Sequence, residues 1–553
     1  MKYRFPADNH RLLVTLFGAV DNVKNPPAAP GKNQRPCPAL NGFISSTDCG
    51  AQRGSTVNCP GDCPFNPFAI SGYDAWLKLD ESWGKKATAY VNQHFGRDQF
   101  RELFTASLRP TEEGPGSEVL AYAHALYSAL FLLRDSEGRT LTDRWEAEGW
   151  TGLNNDERVM MRYRRRSFVT VAEVQKVLDY QSALCTDALA PGSPAFVLVD
   201  RSTTPQMVRF TRLLGWLTHY PHFSRLGGVG LVVSTHAWRY WREVLDNRLA
   251  AERAQRLDLT LRELLTQNFI WATEVMTEVG LDYRQRIFQS LDMHHCIATY
   301  RILGSIQEVT AIMKSKPDFL LESAGEDSGL GAPLAKFAWV RRGESAELYE
   351  SVGGEFEHAS PPGSIPTVGS VRLFRDRLVT EVFSKKKYAF TRKMVDRFFG
   401  PLIRFDHESV VDIAEAQGLK EPKVKVSHEV AEVMDRAFSG RDKPGLSIQS
   451  SLVRVPPSGS GPVAAGGKPG PLANKAALLE ATLQGQLRAI LEHRVPALGG
   501  RTPRESARDI ALRPQLLEWV KGLIHETETN NRRDGTNISV DWLLDELGLT
   551  ELK

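Results

Sequence analysis

Four cysteines, Cys37, Cys49, Cys59 and Cys63, fall within 27 residues in the spacing Cys-x11-Cys-x9-Cys-x3-Cys. Thiolates are soft donors, and four of them satisfy the tetrahedral coordination that zinc accepts. The close pair, Cys59 and Cys63 around Pro60-Gly61-Asp62, has the separation used by zinc-finger ligands. Gly50 and Gly61 allow the turns that point amide groups at sulfur. Zinc held by four protein ligands has no open position for a substrate, so this chemistry is structure or recognition rather than catalysis. Two disulfides, unliganded thiols or a redox role are the alternatives. Cys185 and Cys296 stand alone and read as buried free thiols. His294-His295-Cys296 has the composition of a metal patch, but neighbours on a helix diverge and would not share an ion.

Two basic stretches are candidate nucleic-acid contacts. Arg162, Arg164, Arg165 and Arg166 surround Tyr163. Guanidinium groups suit bidentate phosphate contacts, and a tyrosine can stack on a base. The plainer reading is a helix C-terminus, which favours cations. Lys385, Lys386 and Lys387 follow Ser384, with Arg392 and Lys393 beyond. Cations at a helix start are mildly unfavourable, which points to a functional reason, although a solvated face is the simpler account.

Cys37-Pro38-Ala39-Leu40, Asp48-Cys49-Gly50 and the run Cys59-Pro60-Gly61-Asp62-Cys63-Pro64-Phe65-Asn66-Pro67-Phe68 resemble the N-terminal block of uncharacterised bacterial cysteine-rich proteins. Three further parts are similar to bacterial zinc-chelating proteins with the SEC-C motif. They are residues 154–202, residues 369–381 and Gly499-Gly500-Arg501-Thr502-Pro503-Arg504-Glu505-Ser506-Ala507. The chain has neither the Cys-x-Cys opening nor the closing Cys-Cys or Cys-His of that motif. The resemblance therefore implies zinc at Cys37, Cys49, Cys59 and Cys63 and carries over no catalytic residue.

The familiar catalytic patterns fail one by one. Gly461 to Lys468 is one residue too long for a phosphate loop, and Pro469 stands where a magnesium-binding hydroxyl belongs. Gly227-Gly228-Val229-Gly230 reads as a turn between strands rather than a dinucleotide fingerprint. His525-Glu526 has no second histidine at zinc-protease spacing, and no nucleophile elbow occurs. A metal-dependent nuclease or hydrolase with a dispersed site is the enzymatic alternative, built from Asp412 with Glu421 and Lys423. Pro422 between them would disturb a supporting strand.

The elements that position these groups predict an α+β multi-domain chain. With 553 residues, about three to five domains are expected. Residues 1–70 form the loop-rich, zinc-bound N-terminal region. Residues 71–166 read as helical, because Tyr73, Trp76, Leu77, Leu79, Trp83, Ala87, Tyr90 and Val91 recur mostly at helical steps. Residues 167–236 carry short β-branched runs and predict a small sheet or barrel. Residues 237–330 read as helical. Residues 331–454 form an α+β unit in the order strand, strand, helix, strand. In that unit Ser384 caps the helix and Gly400 ends it. Residues 455–473 are a Pro/Gly/Ser linker. Residues 474–553 are a C-terminal helical domain opened by the capping box Thr502-Pro503-Arg504-Glu505, expected to serve as a tethered protein-interaction module. A purely structural interaction protein is therefore a third reading of the chain.

Net charge is only +3, so any nucleic-acid binding must come from a local patch rather than a global field. The apolar run Leu12 to Val20 is followed by Asp21 and Asn22 and reads as a strand rather than a signal peptide. No run reaches the ~20 apolar residues of a membrane span. These features predict a cytoplasmic protein with no membrane partner and with its cysteines reduced.

Overall fold

A computed structural model describes residues 33–107, 115–290, 293–324, 332–346, 367–418, 426–439, 488, 491–492 and 494–552. The N-terminal apolar run, the linker at 455–473, the glycine-rich stretch at 461–468 and Glu421 with Lys423 lie outside the described residues. The chain is α+β and divides into two compact units. Described residues 33–105, 125–166 and 219–223 make the first, and the remainder makes the second.

In the first unit, β1 (Gln34–Cys37) and β2 (Gly42–Ser45) pair as a hairpin that sets Cys37 opposite Gly42. The Ser45 hydroxyl accepts the Asp48 amide and starts helix Ser46–Gln52. Helix Tyr73–His94 buries Tyr73, Trp76, Trp83, Ala87, Tyr90 and Val91, while Leu77 and Leu79, expected on the same face, are only half-buried. Capping boxes open the helices Leu141–Ala147 (Thr140 with Asp143) and Asn155–Arg164 (Asn154 with Glu157). The core is aromatic: Trp76 meets Tyr220 and Phe223 edge-on at 5.7 and 6.0 Å, and Phe68 stacks on Tyr220 at 5.8 Å.

The second unit begins with a closed five-stranded barrel. Its strands β3 (Phe168–Val177), β4 (Ser182–Asp187), β5 (Phe196–Val199), β6 (Arg212–His219) and β7 (Ser224–Val233) close in the order β3-β4-β5-β7-β6. Ala172, Val174, Ala183, Cys185, Leu198, Leu213 and Leu226 fill it. Gly227 to Gly230 lie inside β7 rather than in a turn. The reason is close approach: a Cβ on Gly230 would stand 2.8 Å from the Leu226 side chain.

Helices Trp238–Arg253, Leu261–Gln267 and Phe269–Ser290 follow as expected. The helical reading of 237–330 then fails. Here β8 (His294–Ile302) and β9 (Phe319–Ala324) flank helix Ile306–Ser315. They belong to one antiparallel sheet with β10 (Ala335–Val340), β11 (Thr367–Leu373), β12 (Arg377–Val382) and β13 (Ile403–Asp412), in the order β13-β8-β12-β11-β10-β9. The expected strand-strand-helix-strand order is present as β11, β12, helix Lys385–Phe399 and β13. It is completed by strands from upstream of residue 331. One face of the sheet is buried: Ala298, Tyr300, Phe337, Trp339 and Leu378 pack with Met313, Phe390, Met394 and Phe398 of the two helices. Ser384 caps the second helix, and Gly400, at φ 47°, ends it.

The C-terminal helices Pro503–Arg508, Arg513–Asp534 and Trp542–Glu546 share a core of Leu491, Leu498, Leu516, Val520, Leu523, Ile524, Leu543 and Leu544. This domain is not a free module. Phe210, just before β6, lies in its core. Arg209 pairs with Glu528 and Asp541, and Arg212 of β6 pairs with Glu518 at 2.6 Å. The apolar face of helix Arg513–Asp534 packs within the domain's own core, to which Phe210 is added. The Thr502–Glu505 capping box forms as its spacing predicts. Thr502→Ala is expected to cost about 1 kcal/mol, read as a lower denaturant midpoint with an unchanged slope.

Candidate metal centre

Each of the four clustered cysteines is placed by a short local device. Cys37 ends β1, and its carbonyl accepts the Leu40 amide at 3.2 Å in the hairpin turn. Cys49 is the buried residue of helix Ser46–Gln52. Cys59 and Cys63 flank a turn in which the Cys63 amide donates to the Pro60 carbonyl at 3.3 Å. That turn is fixed from behind. The Asn66 side-chain amide donates to the carbonyls of Cys59 and Pro60 at 3.4 and 3.3 Å, and the Asn66 Oδ1 accepts the Phe68 amide at 3.0 Å. His222 Nε2 lies 3.0 Å from the Cys59 carbonyl. A Cβ on Gly61 would stand 3.1 Å from the His222 ring, so glycine lets the imidazole lie flat on the turn.

All four cysteines are buried and none is in a disulfide. Cys37, Cys49 and Cys59 share one apolar cluster with Ile44 and Val57. The Cys59 thiol is raised above its ordinary pKa. Burial is the main cause, Arg53 opposes it, and Cys63, Cys49 and Cys37 each add to it. Among the described residues, however, no three His, Cys, Asp or Glu side chains are set as a ready-made metal cage.

Arg53, also buried, donates to the Cys49 sulfur at 3.7 Å and to Asp156 at 2.5 Å. Asn155, next to Asp156, donates from its side chain to the carbonyls of Gly50 at 2.5 Å and Arg53 at 3.1 Å. Helix Asn155–Arg164 thus grips the end of the Cys49 helix. The buried guanidinium beside the Cys49 sulfur would offset part of the negative charge of thiolates at these positions. Arg53, Asn66, Asn155, Asp156 and His222 were not expected from the sequence. His222 lies 163 residues from its partner, and no local pattern signals such a contact.

The basic residues separate into different roles. Arg164 is no phosphate contact, because its guanidinium is buried. It lies 3.7 Å from the centre of the Trp83 ring, pairs with Asp80 and donates to the Tyr220 hydroxyl at 3.3 Å. Tyr163 packs against Phe68 and Tyr220 rather than offering a face to a base. Arg165 is exposed but paired with Asp143 at 2.8 Å and with Glu146. Arg162 and Arg166 are exposed. Lys387 is part-buried, its ammonium donates to the Thr367 carbonyl at 3.1 Å, and burial lowers its pKa. Lys385 and Lys386 are exposed.

Cys185 and Cys296 are fully buried, and burial, with Glu173 nearby, pushes the Cys185 thiol up to about 12. His294-His295-Cys296 is strand rather than helix, so its side chains alternate between faces. His295 pairs with Glu381 at 2.7 Å, and Cys296 is buried on the other face. Asp412 ends β13 and caps the short helix that follows. No helix among the described residues is long and apolar enough to cross a membrane. No family model, curated protein or solved structure matches the chain.

Proposed function

We propose that this chain is a zinc-ordered, multi-domain binding or regulatory protein of the cytoplasm, with nucleic acid as its ligand. What supports the zinc reading is four buried cysteines outside any disulfide, three of them in one apolar cluster, with the Arg53 cation beside Cys49. The resemblance of residues 154–202, 369–381 and 499–507 to bacterial zinc-chelating proteins is a second support, although the cysteines themselves lack that family's motif. Zinc here is structural: binding by four thiolates supplies folding energy to a segment with little core of its own. The ligand class follows from exposed cations, Arg162 and Arg166 in the first unit and Lys385 and Lys386 in the second, which suit phosphate contacts.

Elemental analysis of reduced, purified protein tests the metal. About one zinc per chain is expected, and none in a Cys59→Ser, Cys63→Ser variant. Chelation of the wild type should open residues 33–68 to protease while the second unit stays resistant. Metal-free protein that keeps the same protease resistance would remove the zinc reading.

A further inference from the structure

We infer that the open face of the six-stranded sheet is a binding surface for single-stranded nucleic acid, an inference that rests on the nucleic-acid reading above. Among the described residues, the two helices pack on one face of this sheet. Residues facing the other way can be read from the strand register. At one end Arg404, Arg301 and Arg377 lie side by side on β13, β8 and β12. In the next row Thr299 and Val379, both buried, lie beside the half-buried Arg372 and Lys336, so only the cations of this row reach the surface. At the far end His295 stacks on Phe383 at 5.1 Å with 14° between their planes, and Phe383 is 62% exposed.

Two properties argue for nucleic acid rather than an acidic protein. First, the face joins cations to one exposed aromatic ring, Phe383, backed by the part-buried His295, the combination on which an unpaired base stacks while the backbone follows the positive charge. From Arg377 to Phe383 along β12 is about 20 Å, enough for several phosphates and a stacked base. Second, the cations are available. Arg301, Arg377, Arg372 and Lys336 pair with Asp406, Asp376, Glu381 and Glu322 at 3.3, 3.2, 3.4 and 2.8 Å. The pairs of Arg301, Arg377 and Lys336 are largely solvent-exposed and contribute little, so a phosphate can displace a carboxylate there, whereas the Arg372–Glu381 pair is part-buried. Arg404 and His407 add to the same face. A duplex hides its bases and cannot use the aromatic end.

The test is fluorescence anisotropy with the full chain and a short, labelled, mixed-sequence strand, alone and as a duplex, over a range of salt. Phe383→Ala should weaken single-strand binding about tenfold without changing the salt dependence. Arg301→Ala with Arg404→Ala should flatten the log–log salt slope by about 1.4, two contacts at roughly 0.7 each. Phe383→Leu, which keeps apolar bulk without a ring, separates stacking from a folding defect and should also bind weakly. Wild-type binding that none of these variants alters would overturn the surface and leave the nucleic-acid reading standing. A wild type that binds no strand at low salt would overturn both. Equal affinity for duplex, or equal competition by polyglutamate, would make this a general anion-binding face and end the proposal.

Discussion

Arg164→Ala is expected to destabilise the first unit by about 3–5 kcal/mol. The guanidinium is only 3% exposed, stacked on Trp83 and joined to Asp80 and Tyr220. Removing it strands a partly covered carboxylate and leaves a void among aromatic rings, two losses that add. Arg164→Lys keeps the charge but loses the planar fork and the stacking, so it should recover only part of the stability. Urea unfolding followed by tryptophan fluorescence reads this directly, because Trp76 and Trp83 both lie near the arginine. A loss below about 1 kcal/mol, the range of exposed pairs, would mean that the side chain is on the surface after all, and would return it to the candidate phosphate contacts.

The second large effect concerns the barrel and the C-terminal helices. Arg212 is 1% exposed and pairs with Glu173 on β3 and Glu518 on helix Arg513–Asp534, while Lys521 of that helix reaches Glu173 at 2.7 Å. Arg212→Ala leaves Glu173 buried beside a single cation and should cost about 3–5 kcal/mol. The same network predicts acid sensitivity. Burial raises the Glu173 pKa, but Arg212 and Lys521 outweigh it and hold the carboxyl below its ordinary 4.5. A group with a depressed folded pKa adds stability that is complete above the unfolded value and fades as pH falls through the folded one. The melting temperature should therefore drop below about pH 4.5. Glu173→Gln should be less stable at neutral pH but less sensitive to acid. If that variant lost stability with acid as steeply as the wild type, the ion network would not be the cause.

What the sequence made legible was local. Capping boxes, the Gly400 terminator and the apolar face of helix Tyr73–His94 depend on residues within a few positions of one another. The short β-branched runs of the barrel were readable as strands, but its closure depends on pairing β3 with both β4 and β6. The strand β8 was missed although its buried residues Cys296, Ala298 and Tyr300 alternate. It follows a 22-residue helix and carries no turn signal strong enough to announce a change of period. The cysteines stood out by spacing alone. Their support did not, because Arg53, Asp156 and His222 are joined through contacts more than 100 residues apart. Arg164 was misjudged for a related reason: a run of arginines reads as surface until the ring that covers one of them is known.

The first unit takes five of its residues, 219–223, from far downstream of the rest. Tyr220 and Phe223 are among them, and both pack on Trp76. A ribosome making this chain releases Arg166 roughly 60 residues before Phe223, about 3–12 s at about 5–20 residues per second. Throughout that interval the emerging helix Tyr73–His94 has an unfinished aromatic core and an exposed apolar stripe. The first unit therefore closes only after much of the barrel sequence has been made, although it is still complete before the second unit.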